Sequence, residues 1–242
     1  MKRFLLVLLL AFNARAEVIS LPNANTGFFA SKADTVTIYA PAKDSRAVIV
    51  FLPGGHGNFN LTHEPHWVWM MLAPLKGRVD LVFMDSPYPL WNGGQGPRYT
   101  TDHIGRIRST VEYYKAKTGK PVYLFGHSNG AVSVASFLED SEYNQSIIDG
   151  VIFSGSAISS VRKYKSMPSM IIHHAQDSCR VTPFSYAEKL HTDIKSINKS
   201  PTVMIPITGG SDYGDSCTGM GSSHMYNGVY PKVADAIESF VK

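Results

Sequence analysis

The pentapeptide Gly126-His127-Ser128-Asn129-Gly130 sets a serine between small residues, directly after the apolar run PVYLF and directly before AVSVASFL. G-x-S-x-G between a strand and a helix is the pattern of a nucleophile elbow. The turn is so tight that its flanking positions must be small, and it lifts the serine hydroxyl above the sheet edge. The helix N-terminus beneath it favours developing negative charge. The chemistry such a serine performs is acyl transfer, which also needs donors for an oxyanion. One donor is the backbone N–H of Asn129, the residue after the nucleophile. The other is expected from a loop following an earlier strand, and FLPGGHGN supplies Gly54, Gly55, His56 and Gly57 there. Gly55 is the first choice by position and His56 the second, since glycine lets a backbone approach a substrate closely.

The serine needs a base, and the chain holds 9 histidines. With an elbow serine the partners follow in the order Ser, acid, His, with the histidine on a loop after the last strand. That leaves His191 and His224. His191 lies in an amphipathic run and reads as a helix-surface residue, whereas His224 ends the loop GMGSSH between TVMIP and the terminal helix, so His224 is the expected base. For the acid, Asp177 in HHAQDSCR follows the run SMIIH by a short turn, at the sheet edge where ligands gather. Asp193 falls in a helix, Asp212 and Asp215 in the loop before His224, and Asp140 and Asp149 around the helix after the elbow and the next strand. Asp177 is therefore the expected acid and Asp215 the second choice. His173 and His174 end a strand and read as structural residues, with His174 within reach of the site.

These residues need a scaffold, and the apolar runs provide one. TVTIY (35–39), AVIVFL (47–52), DLVFM (80–84), PVYLF (121–125), GVIFS (150–154), SMIIH (169–173) and TVMIP (202–206) have strand length and almost no charge, as parallel strands covered on both faces do. Between them Ile104, Ile107, Val111 and Tyr114 recur at helical spacing up to Gly119-Lys120-Pro121. A second helix is expected to open at Thr182-Pro183, as cap and first turn, and to bury Ala187, Leu190 and Ile194. A last one carries Val233, Ile237, Phe240 and Val241. The alternation predicts an α/β fold with a mainly parallel central sheet and helices on both faces. The stretch between GVIFS and SMIIH is only about a dozen residues, too short for a large cap, which predicts an open site.

Through LPGGHG, GHSNG, HHAQDSC and the GSSH loop the chain resembles the α/β-hydrolase superfamily over essentially all of residues 17–242. More narrowly, PGG-x-G, HH-x-x-D-x-C and a second cysteine shortly before the final histidine resemble a group of small secreted bacterial α/β-hydrolases. The resemblance implies the fold, a Ser128-Asp177-His224 triad and hydrolysis. It names no substrate. Where that group often has Arg after the nucleophile, this chain has Asn129, which leaves the backbone donor in place. The expectation is a serine hydrolase cleaving carboxylic esters of small molecules through an acyl-enzyme, with no cofactor. The alternatives from the same residues are a peptidase or amidase, or a non-catalytic binding protein on this fold.

Residues 1–16, MKRFLLVLLLAFNARA, read as a cleaved signal peptide: a basic start, an apolar stretch too short to span a bilayer, and Ala14-Arg15-Ala16 before the cut. Residues 17–242 are then a single secreted or periplasmic domain without a membrane anchor. Losing Lys2, Arg3 and Arg15 brings the net charge from +4 to +1, which gives no support to a nucleic-acid partner. The 2 cysteines, Cys179 and Cys217, enter an oxidising compartment, where a disulfide is the default. Closing that loop is worth roughly 4 kcal/mol in the chain-entropy picture.

Two further clusters carry weaker signals. His63 and His66 flank Glu64-Pro65, but H-E-x-x-H is absent and Pro65 is awkward between ligands, so no metal site is expected. Tyr88 and Trp91, in a Pro/Gly-rich loop on the catalytic side of the sheet, are candidates for a substrate wall.

Overall fold

The structure is a computed structural model and describes residues 16–23, 34–55, 72–85, 95–164, 166–213, 216–217 and 221–241. Eight strands form one sheet: β1 (Glu17–Leu21), β2 (Thr35–Ala40), β3 (Val48–Leu52), β4 (Asp80–Met84), β5 (Val122–His127), β6 (Gly150–Ser154), β7 (Ser169–His174) and β8 (Thr202–Ile207). Their order is β1-β2-β4-β3-β5-β6-β7-β8. β1 and β2 pair antiparallel, and every pairing from β4 across to β8 is parallel.

The expected strands all form, with ends shifted by a residue or two. β1 is an addition: EVISL carries polar Glu17 and Ser20 and is largely exposed, because it pairs on one side only, so it lacks the long apolar run that marks the inner strands. β3, β4, β6 and β7 are buried at every position.

Alternate strand residues feed two cores. Val48, Val50, Leu52, Val82 and Leu124 face one layer with α1 (Thr101–Thr118), α2 (Gly130–Asp140) and α4 (Phe184–Ile197). Ile49, Phe51, Leu81, Phe83 and Phe125 face the other, closed by Val233, Ala234 and Ile237 of α5 (Tyr230–Phe240). The short α3 (Glu142–Ser146) follows α2. Ile104, Ile107, Val111 and Tyr114 are the buried stripe of α1, which ends where Gly119 takes φ 66°. α4 departs from expectation at its start: Pro183 occupies the cap position with no side-chain cap bond, because the Thr182 hydroxyl is engaged elsewhere.

The chain runs outward from β3 to β4 on one side and from β5 to β6 on the other. The crevice between β3 and β5 is therefore the switch point of the sheet, where an open α/β sheet offers a site. Two backbone approaches set its width. A Cβ on Gly130 would lie 2.1 Å from the Leu52 carbonyl oxygen, and one on Gly126 would lie 2.4 Å from the Gly130 oxygen. Both flanking glycines of the pentapeptide are thus required by backbone contact. Between β6 and β7, the described residues of 155–168 contain no helix, and no cap layer is built there.

Gly130→Ala is expected to cost at least about 1–3 kcal/mol, the usual range for overpacking, because the obstructing atom is backbone. A denaturation midpoint within error of wild type would show that the turn relaxes freely.

Candidate active site

Ser128 sits where β5 turns into α2, at φ 55°. Only two described non-glycine residues have positive φ, Ser128, the expected nucleophile itself, and Tyr226, two residues after the expected base His224. The turn is held by Ser128 N–H donating to the Ser154 carbonyl (2.8 Å) and by Ala131 N–H and Ala157 N–H donating to the Ser128 carbonyl (3.0 and 3.4 Å). Gly54 presses on it from β3: a Cβ there would be 2.8 Å from Ser128 Cβ and 3.5 Å from Oγ.

His224 lies in a one-turn 3-10 segment, Ser223–Met225, capped by the Ser222 hydroxyl and closed by Tyr226 at φ 57°. The Tyr226 hydroxyl donates to the Ile172 carbonyl (2.8 Å) and meets Ser154 Oγ (2.9 Å), which fixes the segment against β6 and β7. Ser154 Oγ also meets His127 Nδ1 at 3.0 Å. Since the Tyr226 proton is committed to Ile172, Ser154 donates to Tyr226 and accepts from His127 Nδ1–H. The His127 ring lies tilted against His224 with centroids 4.7 Å apart, which places His224 beside the residue preceding Ser128. Burial, then the proximity of His224, holds the His127 pKa well below the usual imidazole value, so a neutral ring backs His224.

The His224 Nδ1 lies 2.7 Å from Asp177 Oδ2. That carboxylate is buried and receives three more donors: His173 Nε2 at 3.0 Å and the Thr182 hydroxyl at 3.1 Å on Oδ2, and Cys179 N–H at 2.9 Å on Oδ1. His173 Nδ1 accepts from Ser156 N–H (3.3 Å), so its proton is on Nε2, shared between Asp177 and the Thr182 carbonyl (2.9 Å). Burial alone would raise the Asp177 pKa, but the bonds from His173 and His224, the His224 charge and the Cys179 N–H outweigh it. The carboxyl is held well below its ordinary range.

The structure therefore brings Asp177 to His224 and His224 to the elbow. It reverses the expected roles of the two strand-end histidines. His173 touches the acid, while His174 donates Nε2–H to the Gly209 carbonyl (2.8 Å) and turns away from it. Asp212 braces the loop instead of serving His224, accepting from the Ser223 hydroxyl at 2.9 Å. His191 is half-exposed on α4, as expected of a surface residue. Cys179 and Cys217 form the expected disulfide, linking the acid loop to the loop before His224. His56, His63, His66, Tyr88, Trp91 and Asp215 lie outside the described residues.

Of the expected oxyanion donors, Gly55 has φ 53° and Asn129 opens α2 with its N–H among the donors a helix start leaves free. The Asn129 side chain braces the loop, with Nδ2 on the Gly55 carbonyl and Oδ1 under Gln95 Nε2, both at 3.4 Å. Sequence reading missed Arg98, which is fully buried below this loop. A groove of about 430 Å³ runs between Ala135 and Glu139 of α2 and residues 157–162, flanked by the exposed rings of Tyr99 and Tyr186. Its volume is in the range that holds a small organic ligand.

No protein-family profile matches the chain, and no curated protein matches its sequence. Solved structures do match. A dienelactone hydrolase from Anabaena variabilis aligns with TM-score 0.64 at 12% identity, over 93% of this chain and 96% of that one. The chain has the α/β-hydrolase fold. A lipase/esterase from Lactobacillus plantarum aligns with TM-score 0.62 at 11% identity, covering 93% and 97% of the two chains. A serine hydrolase without lid from Xanthomonas campestris aligns with TM-score 0.58 at 12% identity, covering 95% of each. Within this α/β-hydrolase fold, the elbow and the Asp177–His224 pair occupy the carboxyl edge of the sheet.

Because the folded Asp177 pKa is depressed, its stabilisation is complete above the ordinary carboxylate pKa of about 4 and is lost as pH falls below it. The stability gap between wild type and Asp177→Asn should therefore shrink between pH 6 and pH 3 in thermal melts. A gap constant across that range would remove the linkage. Replacing both cysteines with serine should lower unfolding free energy by roughly 2–4 kcal/mol, read by denaturant titration.

Proposed function

We propose that the protein is a serine hydrolase that cleaves carboxylic esters through an acyl-enzyme. The observation that carries this reading is the Asp177–His224 hydrogen bond of 2.7 Å, its imidazole against the ring of His127, the residue before a left-handed Ser128 at the switch point of the sheet. Ser128 Oγ attacks the ester carbonyl as His224 Nε2 accepts its proton. Asp177 fixes the Nδ1–H tautomer and stabilises the imidazolium. The tetrahedral oxyanion is held by the N–H groups of Gly55 and Asn129. Collapse expels the alcohol, which takes the proton back from His224. Water, deprotonated by the same imidazole, then releases the acid and frees Ser128.

The wider comparisons support the ester reading, since similar folds include a lipase/esterase and a lidless serine hydrolase. The groove flanked by Tyr99 and Tyr186 offers room for the part of the substrate beyond the reacting carbonyl. The leader-like residues 1–16 and the disulfide support work outside the cytosol.

A fluorophosphonate probe should label the protein stoichiometrically, and Ser128→Ala should abolish labelling and hydrolysis of p-nitrophenyl acetate. His224→Ala should lower kcat by about 10⁴-fold or more. Equal labelling of Ser128→Ala would overturn the reading.

A further inference from the structure

Arg98 lies in the turn Gly96–Tyr99, ahead of α1, and has no solvent exposure. Its guanidinium donates through one nitrogen to the carbonyls of Gly55 (3.1 Å) and Gly54 (3.5 Å), and through another to Ser133 Oγ (2.7 Å). Ser133 is in the first turn of α2, the helix that Asn129 opens, and also meets His103 Nε2 at 2.8 Å. One planar group therefore ties the glycine loop to the helix that Asn129 opens.

We infer that Arg98 is the positioning residue of that hole, holding the Gly54 and Gly55 carbonyls inward so that the Gly55 N–H faces the reacting carbonyl, in register with the Asn129 N–H. The inference rests on the acyl-transfer reading above. Three observations carry it. In a trans peptide the C=O and the following N–H point in opposite directions, so a Gly54 carbonyl turned toward Arg98 sends the Gly55 N–H away from the guanidinium, and Gly54 itself lies against Ser128. Second, Gly55 has no side chain to wedge it, and the space where a Cβ would project is open to 4 Å, so its orientation depends on these carbonyl bonds. Third, burying a guanidinium is costly, and an apolar residue of similar volume would usually serve stability as well or better. Burial lowers the Arg98 pKa only to about 10, which leaves it cationic at neutral pH. Burial and the charges of Arg98 and Arg106 push His103 down to about 3, so the histidine sharing Ser133 is neutral. A fixed positive charge thus sits behind the loop where negative charge develops.

The test uses the full chain in three variants, Arg98→Met, Arg98→Lys and Ser133→Ala, with p-nitrophenyl acetate as substrate and fluorophosphonate titration to count active sites. Expected for Arg98→Met is a fall in kcat per titrated site of about 100-fold, the scale of one lost oxyanion donor, with KM changed less than threefold. Binding of a trifluoromethyl ketone, which forms a tetrahedral oxyanion on the serine, should weaken by a similar factor. Arg98→Lys should recover part of kcat. Ser133→Ala, which keeps the arginine but loosens its anchor, should show a smaller loss in the same direction, and it decides the matter if Arg98→Met does not fold. Wild-type kcat per site in a folded Arg98→Met, or in Ser133→Ala if that is the folded variant, would overturn the role of Arg98 alone. Failure of the wild-type chain to label would overturn the acyl-transfer reading as well.

Discussion

The Asp177 carboxylate is charged, buried and surrounded by four donors, and the geometry at the sheet edge is arranged to keep it so. His173 comes from the end of β7, Cys179 N–H and the Thr182 hydroxyl from the following turn, and His224 from a loop 47 residues further on. Each donor offsets part of the desolvation that would otherwise neutralise the acid. The pattern explains two local departures. Thr182 gives up capping α4 to reach the acid, and His173 takes a tautomer dictated by Ser156 so that its Nε2–H faces inward. His224 is then oriented from three sides: the carboxylate, the neutral His127 ring and the Tyr226 anchor.

A second constraint is backbone on backbone. Gly130 rests against the Leu52 carbonyl, Gly126 against Gly130, and Gly54 against Ser128, so β3 and the elbow approach closer than any side chain would permit. Ser128 and the glycine loop are consequently set by strand pairing, Leu52 to Gly126, and inherit the rigidity of the central sheet.

What the sequence made legible follows from how local each signal is. Ser128, Gly55 and Asn129 were readable because the elbow and the glycine loop are short motifs following apolar runs. The meeting of Asp177 with His224 was readable through chain order and their places in the loops after β7 and β8. Arg98 and Tyr226 were not, since their roles arise from contacts 44 and 72 residues away in sequence. His173 left a faint signal, a strand-end histidine four positions before the acid, which the neighbouring His174 obscured. β1 was missed because a half-exposed edge strand carries too little hydrophobic contrast. The start of α4 was misjudged because a threonine before proline has the same local pattern whether its hydroxyl caps a helix or reaches a carboxylate.

The disulfide has a consequence for durability. Between Cys179 and Cys217 the chain makes α4 and β8 before returning to the site, so the bridge encloses an entire helix–strand unit. A protease that cuts one peptide bond anywhere inside that ring leaves the molecule in one covalent piece. Asp177 lies just before the ring and His224 just after it, and the sulfurs alone would still tether them. In a protease-rich medium the tie between Asp177 and His224 thus outlasts the continuity of the backbone between them.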